Sequence, residues 1–213
     1  MKSIAFIIAT TVMISIIAGC SKKSGESKDQ SQQQGIAGTG TPGAAAAAPN
    51  DVAGIHWTVP QGWTAQPKQQ MRAATYTVPS PREGVEGGDC GVFYFGNGQG
   101  GTVQDNLNRW ISQFEKGGKH EFSSKEINSL KITTIQIVGT YFAPSGPMMA
   151  SQEKKANYKL LGAIVESPAG LVFFKLTGPT QTIDASESAF NQLVNSLAKD
   201  ETEHASSEGS PRN

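Results

Sequence analysis

The sequence predicts an α+β domain over residues 55–198: a single antiparallel sheet of about six to seven strands with two packed helices, in the order βββαββββα. Three observations predict it. Short runs rich in β-branched and aromatic residues are separated by Pro, Gly and Asn turn signals, as strands are. Two longer stretches carry apolar residues at helical spacing. Most connections are too short for a crossover, so neighbouring runs pair as hairpins and the sheet is antiparallel.

Trp57 and Val59 alternate with polar residues, and Pro60-Gln61-Gly62 turns the chain into Trp63. Residues 73–78 and 90–95 are the next two strands. Residues 102–114 form a helix, because Val103, Leu107, Trp110, Ile111 and Phe114 make one apolar stripe. Thr102 caps it, Asp105 suits the positive end of its dipole, and Gly117-Gly118 stops it. Further on, Ile135, Ile137 and Tyr141 share one strand face while Gln136 and Thr140 take the other. Residues 158–165 and 171–176 are apolar on both faces, as central strands are. Ser167-Pro168-Ala169-Gly170 joins them, with Pro168 at the first corner and Gly170 supplying a left-handed residue. The last helix runs from about Asp184, where Glu187 completes a capping pattern, through Phe190, Leu193, Val194 and Leu197. Between residues 143 and 157 the pattern lapses into a long connection holding Met148, Met149, Lys154 and Lys155.

Residues 1–19 open with Lys2 and continue as an apolar run too short for a permanent membrane span. The run ends in Ile17-Ala18-Gly19-Cys20, which resembles a bacterial lipobox. The resemblance implies a diacylglyceryl group on the Cys20 thiol, cleavage before Cys20, and a mature protein anchored to a membrane outside the cytoplasm. Ser21, in place of an aspartate, favours the outer membrane in a host that has one. Residues 20–54 hold almost no branched aliphatics and no aromatics, so they read as a disordered tether. Its 34 residues after the cysteine span roughly 30 Å. Residues 199–213 read as a disordered acidic tail. Cys90 is the one other cysteine, so with Cys20 carrying lipid no internal disulfide forms and stability falls to the core.

Particular residues in the domain suggest a family. Trp57-Thr58-Val59-Pro60-Gln61-Gly62-Trp63, the strand with Phe93-Tyr94-Phe95, the helix ending near Trp110, and Phe174-Lys175-Leu176-Thr177-Gly178-Pro179 before the final helix resemble the PsbP-like fold. That fold also includes bacterial DcrB- and LpqN-type lipoproteins. The resemblance implies an accessory or binding module and supplies no catalytic residues to carry across.

Charge gives no sign of nucleic-acid binding. Residues 55–198 carry twelve Lys and Arg against eleven Asp and Glu, with no basic stripe to collect phosphates. Gly96-Asn97-Gly98-Gln99-Gly100-Gly101 matches G-x-G-x-x-G between a strand and a helix. The neighbouring hairpins deny it the parallel βαβ context of a dinucleotide site. It reads as a structural turn, with an anion site at Gly98, Gly100, Gly101 and Thr102 as the alternative. His56, His120 and His204 have no zinc-ligand spacing, and Glu83, Glu86 and Asp89 form a solvated loop with weak calcium binding as its alternative. Cys90 and the three tryptophans read as core. No cofactor, metal or catalytic constellation is expected. The leading functional reading is a protein-binding or assembly-accessory lipoprotein, with Met148, Met149, Lys154 and Lys155 as candidate partner-binding residues. A small-molecule or anion carrier and an extracytoplasmic enzyme are the alternatives. A deep hollow lined by converging polar groups favours these two, and a shallow apolar patch favours the first.

Overall fold

A computed structural model describes residues 50–144 and 152–200, so Cys20, Met148 and Met149 lie outside the described residues. The chain begins with two short strands, Asp51–Val52 (β1) and Ile55–His56 (β2), joined through Ala53 and Gly54 at φ of 58° and 75°. Next come Thr64–Ala65 (β3), Ala74–Val78 (β4), Gly88–Tyr94 (β5) and a helix, Val103–Ser112 (α1). Four long strands follow: Lys119–Ile127 (β6), Leu130–Pro144 (β7), Gln152–Ser167 (β8) and Gly170–Pro179 (β9). A second helix, Thr180–Asn195 (α2), and Ala198–Lys199 (β10) complete the described elements.

The seven strands β3 to β9 form one antiparallel sheet in the order β3-β4-β5-β9-β8-β7-β6. With its two helices it is the α+β arrangement expected, in the expected order. β1, β2 and β10 form a separate three-stranded patch. It pins the two ends of the described chain together, and His56 Nδ1 lies 2.8 Å from Asp200 Oδ1. The patch includes residues read from composition as tether.

Alternation explains why the helices take opposite faces. Successive side chains leave a strand on opposite sides, so strands that are apolar throughout need cover on both. On one face, Tyr76, Val92, Phe174, Leu161 and Ile132 pack against Ile183, Phe190, Leu193 and Val194 of α2. On the other, Ile135, Ile137, Leu160, Ile164 and Phe173 pack against Leu107 and Trp110 of α1 and against Phe114 just beyond it. The strands apolar on both sides, β8 and β9, lie inside the sheet between these layers.

Three local expectations give way to tertiary structure. The first strand of the seven-stranded sheet forms at Thr64–Ala65 rather than at Trp57. Trp57 instead enters the core, donating from Nε1 to Tyr76 Oη at 3.0 Å and setting its ring edge-on to Phe174. α2 starts at Thr180 behind Pro179, without a side-chain cap. Asp184 and Glu187 are therefore free of capping duty, and each accepts from Lys159 Nζ at 2.8 Å. The described part of the expected long connection, residues 143–144 and 152–157, is strand: β7 runs on to Pro144 and β8 begins at Gln152, with a register shift between Gly139 and Tyr141.

The seat of α1 is tight. A Cβ on Gly162 would stand 2.3 Å from Trp110 Cζ3, so the indole rests on bare β8 backbone. Trp110→Ala is expected to cost about 3–5 kcal/mol, the range of large aromatic truncations in cores. Gly162→Ala is expected to cost about 1–3 kcal/mol by overpacking. Urea midpoints of both variants check this, and an unchanged midpoint for Trp110→Ala would place that ring outside the core.

Candidate functional site

Because α1 is seated over β7 and β8, it leaves part of its own sheet face open. Thr77 of β4, Asp89 and Phe93 of β5, and Lys175 and Thr177 of β9 line a hollow of about 600 Å³ there. Tyr141, Lys155 and Tyr158 close its far side from the ends of β7 and β8.

Its charged groups are held in defined contacts. Arg72 Nη1 donates to both carboxylate oxygens of Asp89, at 3.0 and 2.9 Å, with its guanidinium 5.4 Å from the centre of the Phe93 ring. Lys155 Nζ donates to Glu86 Oε1 at 3.0 Å and to Tyr158 Oη at 3.1 Å, and Tyr158 Oη donates to Glu86 Oε2 at 2.7 Å. The hydrogen bond from Tyr158 holds the Glu86 carboxyl below its usual range, aided by Lys155. Hydrogen bonds to Tyr158 and to Glu86 raise Lys155. The rings of Tyr141 and Tyr158 stack at 5.8 Å, and burial lifts the Tyr141 phenol to about 12.

Lys175 differs from the other cations. Its Nζ donates to Gln113 Oε1 at 2.7 Å and to Tyr141 Oη at 3.1 Å, both neutral. Burial first, then the nearby Arg72 charge, pushes its ammonium down to about 8. A half-buried lysine, depressed by desolvation and standing in a cleft, marks a candidate site by the physics of titration.

A second hollow of about 150 Å³ adjoins the first, the two sharing Phe93 and Lys175. Phe95, Phe173 and Trp110 make its walls, and Arg109 stands at its rim. Arg109 Nη2 donates to Asn106 Oδ1 at 2.6 Å and to Gly100 O at 3.2 Å.

The residues singled out in sequence fall around these hollows rather than in one place. Gly98, Gly101 and Thr102 line a different hollow, of about 470 Å³, whose wall includes the Glu166 carboxylate. The helix end beside it is occupied from within. Thr102 N and Oγ1 both donate to Asp105 Oδ2, and Asp105 N donates back to Thr102 Oγ1. β5, which enters this loop, is antiparallel to both neighbours, unlike a dinucleotide-binding strand. Lys154 reaches Glu115 at 2.8 Å and Lys155 reaches Glu86, so both end on carboxylates of their own chain. Glu86 and Asp89, read as one acidic loop, point to separate cations. Cys90 is fully buried, and burial raises its thiol far above the ordinary range.

Sequence reasoning missed Arg72, Arg109, Tyr141, Tyr158 and Lys175 as a group. A usable signal was present: a lone lysine in the apolar run Phe173-Phe174-Lys175-Leu176.

No family model matches this sequence, and no curated protein is similar to it in sequence. Two solved structures are similar in shape. CyanoP, the cyanobacterial PsbP of Synechocystis sp. PCC 6803, is 13% identical with a TM-score of 0.47, covering 76% of this chain and 98% of its own. PA94, a protein of unknown function from Pseudomonas aeruginosa regarded as a candidate regulator, is 11% identical with a TM-score of 0.41. It covers 62% of this chain and 94% of its own.

The depressed lysine has a thermodynamic consequence. Between about 8 and the ordinary 10.5 the unfolded chain holds a proton on Lys175 that the folded chain has lost. Wild-type stability therefore gains from this residue as pH rises through that window, and bears its full cost below it. Lys175→Met is expected to raise the urea midpoint at pH 7 relative to wild type, with the gain shrinking by pH 10. A pH-independent difference would show that Lys175 titrates like an exposed lysine.

Proposed function

We propose that this protein is a lipoprotein anchored through Cys20 outside the cytoplasm, acting as an accessory or binding module through the open half of the α1 face. The observation that carries the reading is that hollow, where α1 stops short and Arg72, Lys155, Lys175 and two stacked tyrosines converge in fixed geometry. Converging polar groups in a concave site are the mark of ligand recognition. The groups are mostly engaged with one another, which suits a pre-organised receptor surface more than a reacting centre. The lipobox and the composition of residues 21–54 support a tethered mode of action, with the domain free to reach partners near the membrane.

A second reading has one observation in its favour. β6 forms an edge of the sheet, is exposed along almost its whole length, and displays Phe122 at 56% exposure. Such an edge accepts an added strand from a partner.

Two measurements test the proposal. Cys20→Ala is expected to shift the protein from membrane to soluble fractions while circular dichroism of the domain stays unchanged. Retention on salt-washed membranes would overturn the anchor. A photoreactive residue placed at exposed Thr77 is expected to give adducts in membranes where one at Phe122 gives none. The mass of the adduct separates a polypeptide from a small molecule. Adducts from Phe122 alone would move the function to the strand edge.

A further inference from the structure

The smaller hollow has a composition of its own. Phe93 and Phe95 stack at 6.4 Å, and Phe95 leans on Phe173 at 5.9 Å, while Trp110 closes the side toward α1. Its volume of about 150 Å³ is the size at which an apolar cavity holds one benzene ring. Two cations, Arg109 and Lys175, line it, and no Asp or Glu does. Every acceptor on these cations, among the described residues, is a neutral oxygen: Gly100 O and Asn106 Oδ1 for Arg109, Gln113 Oε1 and Tyr141 Oη for Lys175. Arg72, Lys154, Lys155 and Lys159, by contrast, each end on a carboxylate.

We propose that this pocket binds an aromatic carboxylate, with its ring among Phe93, Phe95, Phe173 and Trp110 and its carboxylate between Lys175 and Arg109. The proposal rests on the reading of this face as a binding surface and names the ligand chemistry for it. Charge complementarity selects an anion, because a carboxylate supplies the two cations with the ionic acceptor they lack. Ring walls select a flat apolar body, since aromatic faces and edges pack favourably on one another. The volume of this hollow matches a body of one ring. Such chemistry is carried by a free arylalkanoic acid and by a peptide whose last residue is phenylalanine.

Titration of the purified full chain distinguishes these sources. The probes are 3-phenylpropionate, N-acetylglycyl-phenylalanine with a free carboxylate, and the uncharged 3-phenylpropanol, followed through the NMR signals of Trp110 and Gln113. At least one acid is expected to shift these signals saturably, with the alcohol about tenfold or more weaker. Tighter binding of phenylpropionate assigns a free acid, and tighter binding of the peptide assigns a chain terminus. Lys175→Met and Arg109→Leu are each expected to weaken the acid about tenfold and leave the alcohol unchanged. Arg109 is exposed, so its variant reads binding rather than folding. Equal affinity for acid and alcohol, or an unchanged acid affinity in Arg109→Leu, overturns the proposal. Adducts at Thr77 without binding of either acid would keep the wider reading of this face and remove this one.

Discussion

Trp110 lies flat against Gly162, and much of the molecule follows from that contact. With Cβ absent from β8 at this position, the indole comes closer to the sheet than any other side chain at residue 162 would permit. Phe114, just beyond the helix, then meets the Tyr141 ring at 5.2 Å, and the end of α1 is held over β7 as well. A helix fixed at two places across β7 and β8 cannot also roof β4 and β5. Alternation still sends Thr77, Asp89 and Phe93 to that side, so the sequence there is mixed in polarity where the other face is apolar. The open hollow is the geometric remainder of seating α1 on a glycine.

Two lysines in adjacent central strands show how differently the faces are used. Lys159 of β8 points toward α2 and meets two carboxylates; despite 6% exposure, these raise its affinity for the proton. This contact fastens the helix to the sheet, although the first turn of α2 has no side-chain cap. Lys175 of β9 points to the other face and meets only neutral oxygens. The Asp89 carboxylate that shares its hollow is held by Arg72, and desolvation of the ammonium is a cost that neutral acceptors offset only in part. One lysine is an internal fastening, and the other leaves unspent attraction in a concave surface.

What the sequence disclosed and what it withheld divide along the same line. The stripe from Val103 to Trp110, the Thr102–Asp105 capping box and the doubly apolar central strands are local patterns, and each appears in the fold where its residues lie, although the helix stops at Ser112, short of the expected Phe114. The two-residue turn at Pro168-Ala169 is equally local, with Ser167 paired to Gly170 and Gly170 at φ of 122°. The capping pattern places the start of α2 near Asp184, but Asp184 and Glu187 satisfy a distant lysine instead of their own helix, which starts at Thr180. The polar run at 152–157 reads as loop by composition, and its partner strand makes it β. The hollow had least chance of being read. Glu86 and Lys155 are 69 residues apart and Gln113 and Lys175 are 62 apart, and pairings of that range leave no periodicity to find.

The glycine-rich loop illustrates how a motif can be real in sequence and different in purpose. A phosphate cradle needs amide N–H groups pointing inward at a bare helix end. Here the helix end already carries the Asp105 carboxylate, so a second anion would face a like charge at close range. What the loop presents toward the pocket is instead a carbonyl: Gly100 O accepts from Asn106 and from Arg109. A Cβ at Gly100, whose φ is +87°, would lie 2.9 Å from the Phe95 ring, so the missing side chain makes room for that aromatic wall. The glycines thus shape the neighbouring hollow in two ways, admitting Phe95 and aiming Arg109. An anion drawn to this end of the molecule meets the guanidinium that the loop has oriented, not the loop itself.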